Sequence, residues 1–210
     1  MIVGIYLAAG QSKRMGRNKL ELPLGGESLG TIALKTILQT DLDYTIVITN
    51  PADKLTWIPS TLVNTTMWRS YPCLEANNGQ SYSLKCGVKK AKELGADAAM
   101  VFLADQPFIS RKIVNQLISI FKSNMELDIV SASFNHIQRP PVLFAKNVFS
   151  EIMRLQGDQG ARELVRGKEI GKRKTLECTD RLQFVDVDRE KEYLLIRNLV
   201  NKNKSGRGRH

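Results

Sequence analysis

The first nineteen residues constrain the fold more than any other part of this 210-residue chain. Ile2-Val3-Gly4-Ile5-Tyr6-Leu7 is an apolar run of strand length. It empties into Ala8-Ala9-Gly10-Gln11-Ser12-Lys13-Arg14-Met15-Gly16-Arg17-Asn18-Lys19, a loop of small residues and cations. A buried strand ending in such a loop presents backbone N–H groups and positive charge at the C-terminal edge of a sheet, where α/β folds place their ligands. The ligand it suits is a polyphosphate. Counting excludes two common motifs. Five residues separate Gly10 from Gly16 and Arg17 follows, so there is no P-loop. Gly10-Gln11-Ser12 lacks the Gly-x-Gly of the dinucleotide fingerprint.

Downstream, strand-like and helix-like segments alternate, the pattern of a mostly parallel sheet. Helical spacing marks 29–40, 81–94, 148–155, 161–165 and 189–199, and Ser110 is placed to cap a further helix whose face is Ile113, Leu117, Ile120 and Phe121. Strands are expected at 44–49, around 63–68, at 98–103 (an unbroken apolar run suited to the sheet centre), at 128–134 and at 184–187. Residues 140–144 form a short extended segment whose prolines, Pro140 and Pro141, bar a central position at its start. The expected architecture is one three-layer α/β/α Rossmann-like domain over 1–200, followed by a basic, disordered tail at 201–210.

Cys73, Cys86 and Cys178 are odd in number and lack C-x-x-C spacing, so they read as free thiols in a reducing, cytoplasmic compartment. No apolar run is long enough for a membrane span. The net charge of +10 invites a nucleic-acid reading. However, much of it sits in the tail, in the first loop and around 162–174, and no aromatics interleave with these cations as base stacking requires. Small anionic substrates account for it better. The run Lys172-Arg173-Lys174 reads as a solvated edge. His136 and His210 are too few for a zinc site or a Ser-His-Asp triad.

Three further constellations carry chemistry. Asp105, in Asp105-Gln106-Pro107, follows the best central strand and opens into the crevice shared with the first loop, where one or two carboxylates suffice for Mg²⁺. Asn77 to Leu84, containing Gly79, Ser81 and Ser83, is a loop-to-helix transition whose N–H groups and hydroxyls could hold a base or ribose, although read alone it is a plain Asn-Gly turn and helix start. In Gly157-Asp158-Gln159-Gly160-Ala161-Arg162, the glycines let backbone approach a ligand and Arg162 can fork onto phosphate, while Asp158 is either a ligand-facing carboxylate or a helix cap.

Leu7 to Lys19 meets every defined position of L-A-[AG]-G-x-S-x-R-M-G-x-x-K, the signature of the MobA-like nucleotidyltransferases, and the chain resembles that family through ordered motifs to about Asp188. The branch it resembles is the molybdenum cofactor cytidylyltransferases of the xanthine dehydrogenase maturation type, through D-Q-P at 105–107 and G-D-x-G-A-R at 157–162. The resemblance implies CMP transfer from CTP to molybdopterin, releasing pyrophosphate, for a molybdenum hydroxylase. It implies a nucleotide-binding half over about 1–110 and an acceptor-side half over about 111–200. Arg14, Lys19 and Asp105 are then the catalytic set. Leu7, Ala8, Ala9, Gly10, Asn50, Gly79, Ser81 and Ser83 join Arg14 and Lys19 around the nucleotide, and Gly157, Asp158, Gly160 and Arg162 take the acceptor. Mg²⁺ falls to Asp105, with Asp158 or Asp188 as further ligands. Within Asp186-Val187-Asp188, an Asp approaches the metal or caps the final helix, and at least one of the two reads as the cap. Ala9 stands where the guanylyltransferase branch has a second glycine, and its β-carbon suits a pyrimidine. Gln138-Arg139-Pro140 departs from the Gly-His or Gly-x that relatives place before Pro-Val-Leu-Phe. The rival readings are a guanylyl- or sugar-phosphate transferase, a non-catalytic carrier of the cofactor, and an oxidoreductase on the same fold.

Overall fold

The computed structural model describes residues 1–12, 14–166 and 170–207; Lys13, Lys168 and the last three residues of the basic tail lie outside the described residues. In chain order the elements are β1 (Ile2–Ala8), β2 (Pro23–Leu24), β3 (Glu27–Ser28), α1 (Leu29–Ile37), β4 (Tyr44–Thr49), α2 (Ser60–Val63), β5 (Trp68–Pro72) and α3 (Gln80–Glu93). There follow β6 (Ala98–Leu103), α4 (Arg111–Ser123), β7 (Ile129–Phe134), β8 (Ile137–Ala145), α5 (Phe149–Arg154), α6 (Ala161–Arg166), β9 (Arg173–Glu177) and α7 (Glu190–Arg207). Seven strands form one sheet in the order β5-β4-β1-β6-β8-β7-β9, with β2 and β3 as a separate ribbon. β1 pairs in parallel with β4 and β6, β4 with β5 and β7 with β9; β8 runs antiparallel to both its neighbours.

Alternation along the strands builds two cores, as period-two side-chain geometry demands. Ile2, Tyr6 and Ala8 of β1 join Met100 and Phe102 of β6 on the face covered by α1 and α4. Val3 and Ile5 join Ala99 and Val101 on the face covered by α3 and α5. Gly87 lets α3 lie close to the sheet, since a β-carbon there would meet Ile5. The expected cap is present: Ser110 accepts from the Ile113 N–H at the start of α4. The three-layer, mostly parallel arrangement is the one expected.

Five expectations change. β8 lies inside the sheet despite its prolines. Val142 pairs with Ser131 and Arg139 with Ala132, so Pro140 and Pro141 fall in a bulge, and the pairing with β6 ends at Val101–Val142. No ladder N–H is asked of either proline. The last strand is β9, not 184–187. Its side chains are largely solvent-facing, which leaves an edge strand with little apolar signal. The apolar residues 184–187 act as an anchor instead. Asp180 caps a short 3-10 turn, Phe184 stacks on Phe134 with ring centroids 6.1 Å apart, and Val187 is fully buried. The solvated run 172–174 includes Arg173, which is half-buried and donates to the Ile170 and Val165 carbonyls. The tail expected to be disordered from 201 continues α7 as far as Arg207. Finally, Cys73 and Cys86 are disulfide-bonded, with Cα atoms 6.1 Å apart, and only Cys178 is free among the described residues. The turn at 74–79 folds α3 back against the end of β5, a proximity invisible to cysteine spacing. No helix of the described residues is long and apolar enough to cross a membrane.

Candidate active site

From β1 the chain runs outward to β4 and β5, then returns to the other side of β1 as β6. The crevice at the carboxyl ends of β1 and β6 is therefore the topological switch point, where ligands bind in open α/β sheets. Two cavities meet there, of about 450 Å³ and 350 Å³. Leu7, Leu103, Asp105, Asp158 and Asp188 line both.

The first loop wraps the larger cavity. Ser12 takes a positive φ of 48°, and its hydroxyl accepts the Lys19 N–H at 3.1 Å, closing the loop on itself. Gly16, at φ +65°, makes a turn that favours glycine. Asn18 then caps a 3-10 turn at Lys19–Glu21, which aims Lys19 inward. Lys19 Nζ donates to Asp105 Oδ2 at 2.6 Å and to Asp188 Oδ1 at 2.8 Å. Arg14 faces Asp188 at 3.4 Å and Arg17 contacts both Glu190 oxygens at 3.0 Å. Thus the loop's cations lean on the 188–190 segment.

Burial works against the Lys19 ammonium, but the charges and hydrogen bonds of Asp105 and Asp188 overcome it and hold its pKa above the ordinary value. Burial likewise pushes Asp188 up, and Lys19 with Arg14 more than reverses that, leaving it below the ordinary carboxylate range. Asp186 is raised, by burial first and then by the negative charge of Asp105, against the hydrogen bond from Gln106. The cluster thus has Lys19 charged and Asp188 ionised. Asp105 Oδ1 is buried and has no hydrogen-bond partner. An orphaned carboxylate oxygen at the seam of two polar cavities is a fit for a hard divalent cation. No group of three His, Cys, Asp or Glu stands ready to hold a metal among the described residues. Phosphate oxygens and water must then complete the shell, as magnesium sites commonly require.

Most residues singled out in the sequence do gather here. Leu7, Ala8, Ala9, Gly10, Arg14 and Lys19 line the larger cavity from the first loop, and Gly79 and Ser83 line it from the start of α3. Gly160 and Arg162 line the smaller one. Three do not reach either. Asn50 donates to Asn77 Oδ1 at 3.0 Å, and it is Asn77 that lines the cavity. Ser81 is fully buried and donates its hydroxyl to the Gly157 carbonyl at 2.8 Å, while its N–H reaches the same oxygen at 3.1 Å. Both Ser81 and Gly157 are thus spent on docking the 157–160 loop against α3. That docking also explains Gly79, at φ +128°, where a β-carbon would fall on the Gly157 carbonyl. Asp158 is not a helix cap: α6 begins at Ala161. The Asp186 carboxylate accepts from Gln106 and that of Asp188 from Lys19 and Arg14, while Glu192 accepts the Asp188 and Arg189 N–H groups at 2.7 and 2.9 Å ahead of α7. Among the residues that sequence reasoning did not place in the site are Gln11, Ser12, Asn77 and Gln80 and, on the far side, Glu163; Asp186, read in sequence as a metal-facing carboxylate or a cap, lines the smaller cavity. Asn77 and Gln80 stood in a motif already singled out; for Glu163 no sequence signal existed.

Sheet, switch-point crevice and cation-rich loop together define a Rossmann-like nucleotidyltransferase. Residues 4–175 match the model of the MobA-like NTP transferase domain, and the chain belongs to that family. It is 34% identical over 204 residues to the purine catabolism protein PucB of Bacillus subtilis, spanning 95% of this chain and 98% of that protein. Among solved structures, Rv0371c of Mycobacterium tuberculosis in complex with manganese shares the fold with a TM-score of 0.74 at 21% identity, over 94% of this chain and 98% of that one. A nucleotidyl transferase from Methanothermobacter does so with a TM-score of 0.77 at 19% identity, over 97% and 99%.

Proposed function

We propose that this protein is a molybdenum cofactor cytidylyltransferase, transferring CMP from CTP to molybdopterin and releasing pyrophosphate for the maturation of a molybdenum hydroxylase such as xanthine dehydrogenase. The observation that carries the reading is Lys19, which reaches from the larger cavity to Asp105 and Asp188, the carboxylates that line both cavities. Such a seam brings a nucleotide and an acceptor together on one cationic centre. The likeness to a purine catabolism protein agrees with a xanthine dehydrogenase as the recipient.

In the proposed reaction a terminal phosphate oxygen of the acceptor attacks the α-phosphorus of CTP. The bond from that phosphorus to the β-phosphate oxygen breaks, and pyrophosphate leaves with the electron pair. The nucleophile is already ionised, so no general base is needed, and the protein's work is positioning and charge stabilisation. Lys19 has three N–H donors and spends two on carboxylates, leaving one for a phosphate oxygen. Arg14, two-thirds exposed at the cavity mouth, is free to swing onto the leaving pyrophosphate. Asp105, with Asp188 or Asp158, would hold Mg²⁺, which supplies neutralising charge to the phosphates. Rv0371c, which shares the fold, was solved in complex with manganese, and this agrees with the use of a divalent ion. Gly10, Gly79 and Ser83 offer backbone and hydroxyl groups to the nucleotide. The Ala9 β-carbon narrows the base site toward a pyrimidine.

The test is pyrophosphate release with molybdopterin, magnesium and each nucleoside triphosphate in turn. CTP should exceed GTP well beyond twofold. A preference of twofold or less removes the cytosine assignment, and a GTP preference moves the protein to the guanylyl branch.

A further inference from the structure

The smaller cavity has a charge pattern that the transfer step does not use. Away from Lys19 its wall carries Asp186, Glu163 and Asp158, with Arg162 as the cation among them. Asp186 is held from behind. Gln106, only 3% exposed, donates Nε2 to Asp186 Oδ1 at 2.7 Å. The Gln106 N–H is itself tied to the Leu103 carbonyl at 3.2 Å, and the Val187 N–H donates to the Asp105 carbonyl at 3.0 Å. Residues 186–188 are thereby pinned along the tip of β6. Asp186 Oδ2 has no hydrogen-bond partner among the described residues, and the side chain lines the smaller cavity alone.

On this wall the carboxylates of Asp186, Glu163 and Asp158 outnumber Arg162 and disfavour the acceptor's phosphate, whereas Lys19 and Arg14 in the larger cavity attract it. The acceptor must lie with its phosphate toward Lys19 and its other end against Asp186. A carboxylate fixed in place with open lone pairs selects N–H donors, and charge-assisted pairs of this kind are the stronger hydrogen bonds. A planar heterocycle with a ring N–H beside an exocyclic amino group presents two donors on one edge. We propose that Asp186 recognises such a donor edge on the acceptor, and that Gln106 is its positioning residue. The inference rests on the transferase reading above and names what the acceptor side of that site selects.

Two measurements test it. In steady-state assays with CTP, magnesium and molybdopterin, Asp186→Asn should raise the acceptor KM about tenfold or more while the CTP KM stays within about twofold. Gln106→Leu should raise the acceptor KM several-fold, and the double variant should be no worse than Asp186→Asn, because Gln106 acts through Asp186. Separately, fluorescence titration of the folded protein compares pterin with lumazine, its 2-oxo analogue. The wild type should favour the amino compound by about tenfold and Asp186→Asn should lose the preference. Pyrophosphate production by the wild type with an unmoved acceptor KM in both variants overturns the inference and leaves the transferase reading standing. So does a shifted magnesium requirement in Asp186→Asn without an acceptor effect. An amino-over-oxo preference that depends on Asp186, with no pyrophosphate from the wild type, overturns the transferase reading alone. No amino-over-oxo preference in the wild type overturns the inference directly.

Discussion

The two cavities that meet at Asp105 are built in opposite ways. The larger takes much of its lining from consecutive positions between Leu7 and Leu20, where strand, turn residues and cations follow one another in order, and the rest from the start of α3, the tip of β6, Asp158 and Asp188. The smaller is assembled from Pro140 on a bulged strand, Gly160 to Glu163 at the start of α6, and Asp186 on a segment anchored to β6. They also differ in charge. Lys19 and Arg14 serve the larger, while carboxylates dominate the far wall of the smaller. The contrast teaches that a phosphate site can be encoded locally, because backbone N–H groups and nearby cations suffice. A site that distinguishes one acceptor from another must draw side chains from several elements.

The largest expected effect falls on the shared centre. Lys19→Ala should lower turnover by about 100-fold or more, the scale of losing one preorganised charge donor. It also leaves Asp105 and Asp188 facing each other without their common partner, so its melting temperature should fall and magnesium should restore part of the loss. Near-normal pyrophosphate release would show that the two cavities do not work through Lys19. Next, Asp105→Asn should flatten the magnesium dependence of turnover, and an unchanged magnesium titration would remove Asp105 as a ligand.

Gly79→Ala tests whether the cavities are mechanically joined. The new β-carbon meets the Gly157 carbonyl in a φ of +128°, so the 157–160 loop must lift from α3. A cost of about 1–3 kcal/mol is expected, with a rise in both substrates' KM values. If only the CTP KM moves, the loop docks independently of the acceptor wall.

How much of this was legible followed the same division. β1, its loop, the central β6 and the Ser110 cap stand out because their signals are local. The role of Ser81 was not legible, since a buried hydroxyl bonded to the distant Gly157 carbonyl looks in sequence like any serine at a helix start. Gln106 stood in a quoted motif, but its link to Asp186 spans 80 positions. β9 and the interior place of β8 escaped for a related reason: an edge strand needs no apolar alternation, and a bulge excuses prolines that a regular strand would reject. The Cys73–Cys86 bond depends on a turn that only the fold reveals.

The smallest effect concerns the outer edge of the acceptor side. Glu177, at the end of β9, accepts from the Ser133 hydroxyl and the His136 N–H, and these bonds hold its carboxyl below the usual value. A depressed folded-state pKa stabilises above the unfolded value, and that contribution is lost as pH falls through the lower folded one. Acid melts of the wild type should therefore lose stability below about pH 4.5 slightly faster than those of Glu177→Gln. Identical curves would show that this anchor contributes nothing.

The central claim is that nucleotide and acceptor meet across Lys19 for a transfer. Its most direct test is a single-turnover reaction with CTP labelled at the α-phosphate, in the presence and absence of molybdopterin. The account predicts label in a pterin dinucleotide, matched one to one by pyrophosphate, with both absent when the acceptor is left out. Tight molybdopterin binding with all label remaining in CTP would contradict it and make the protein a carrier.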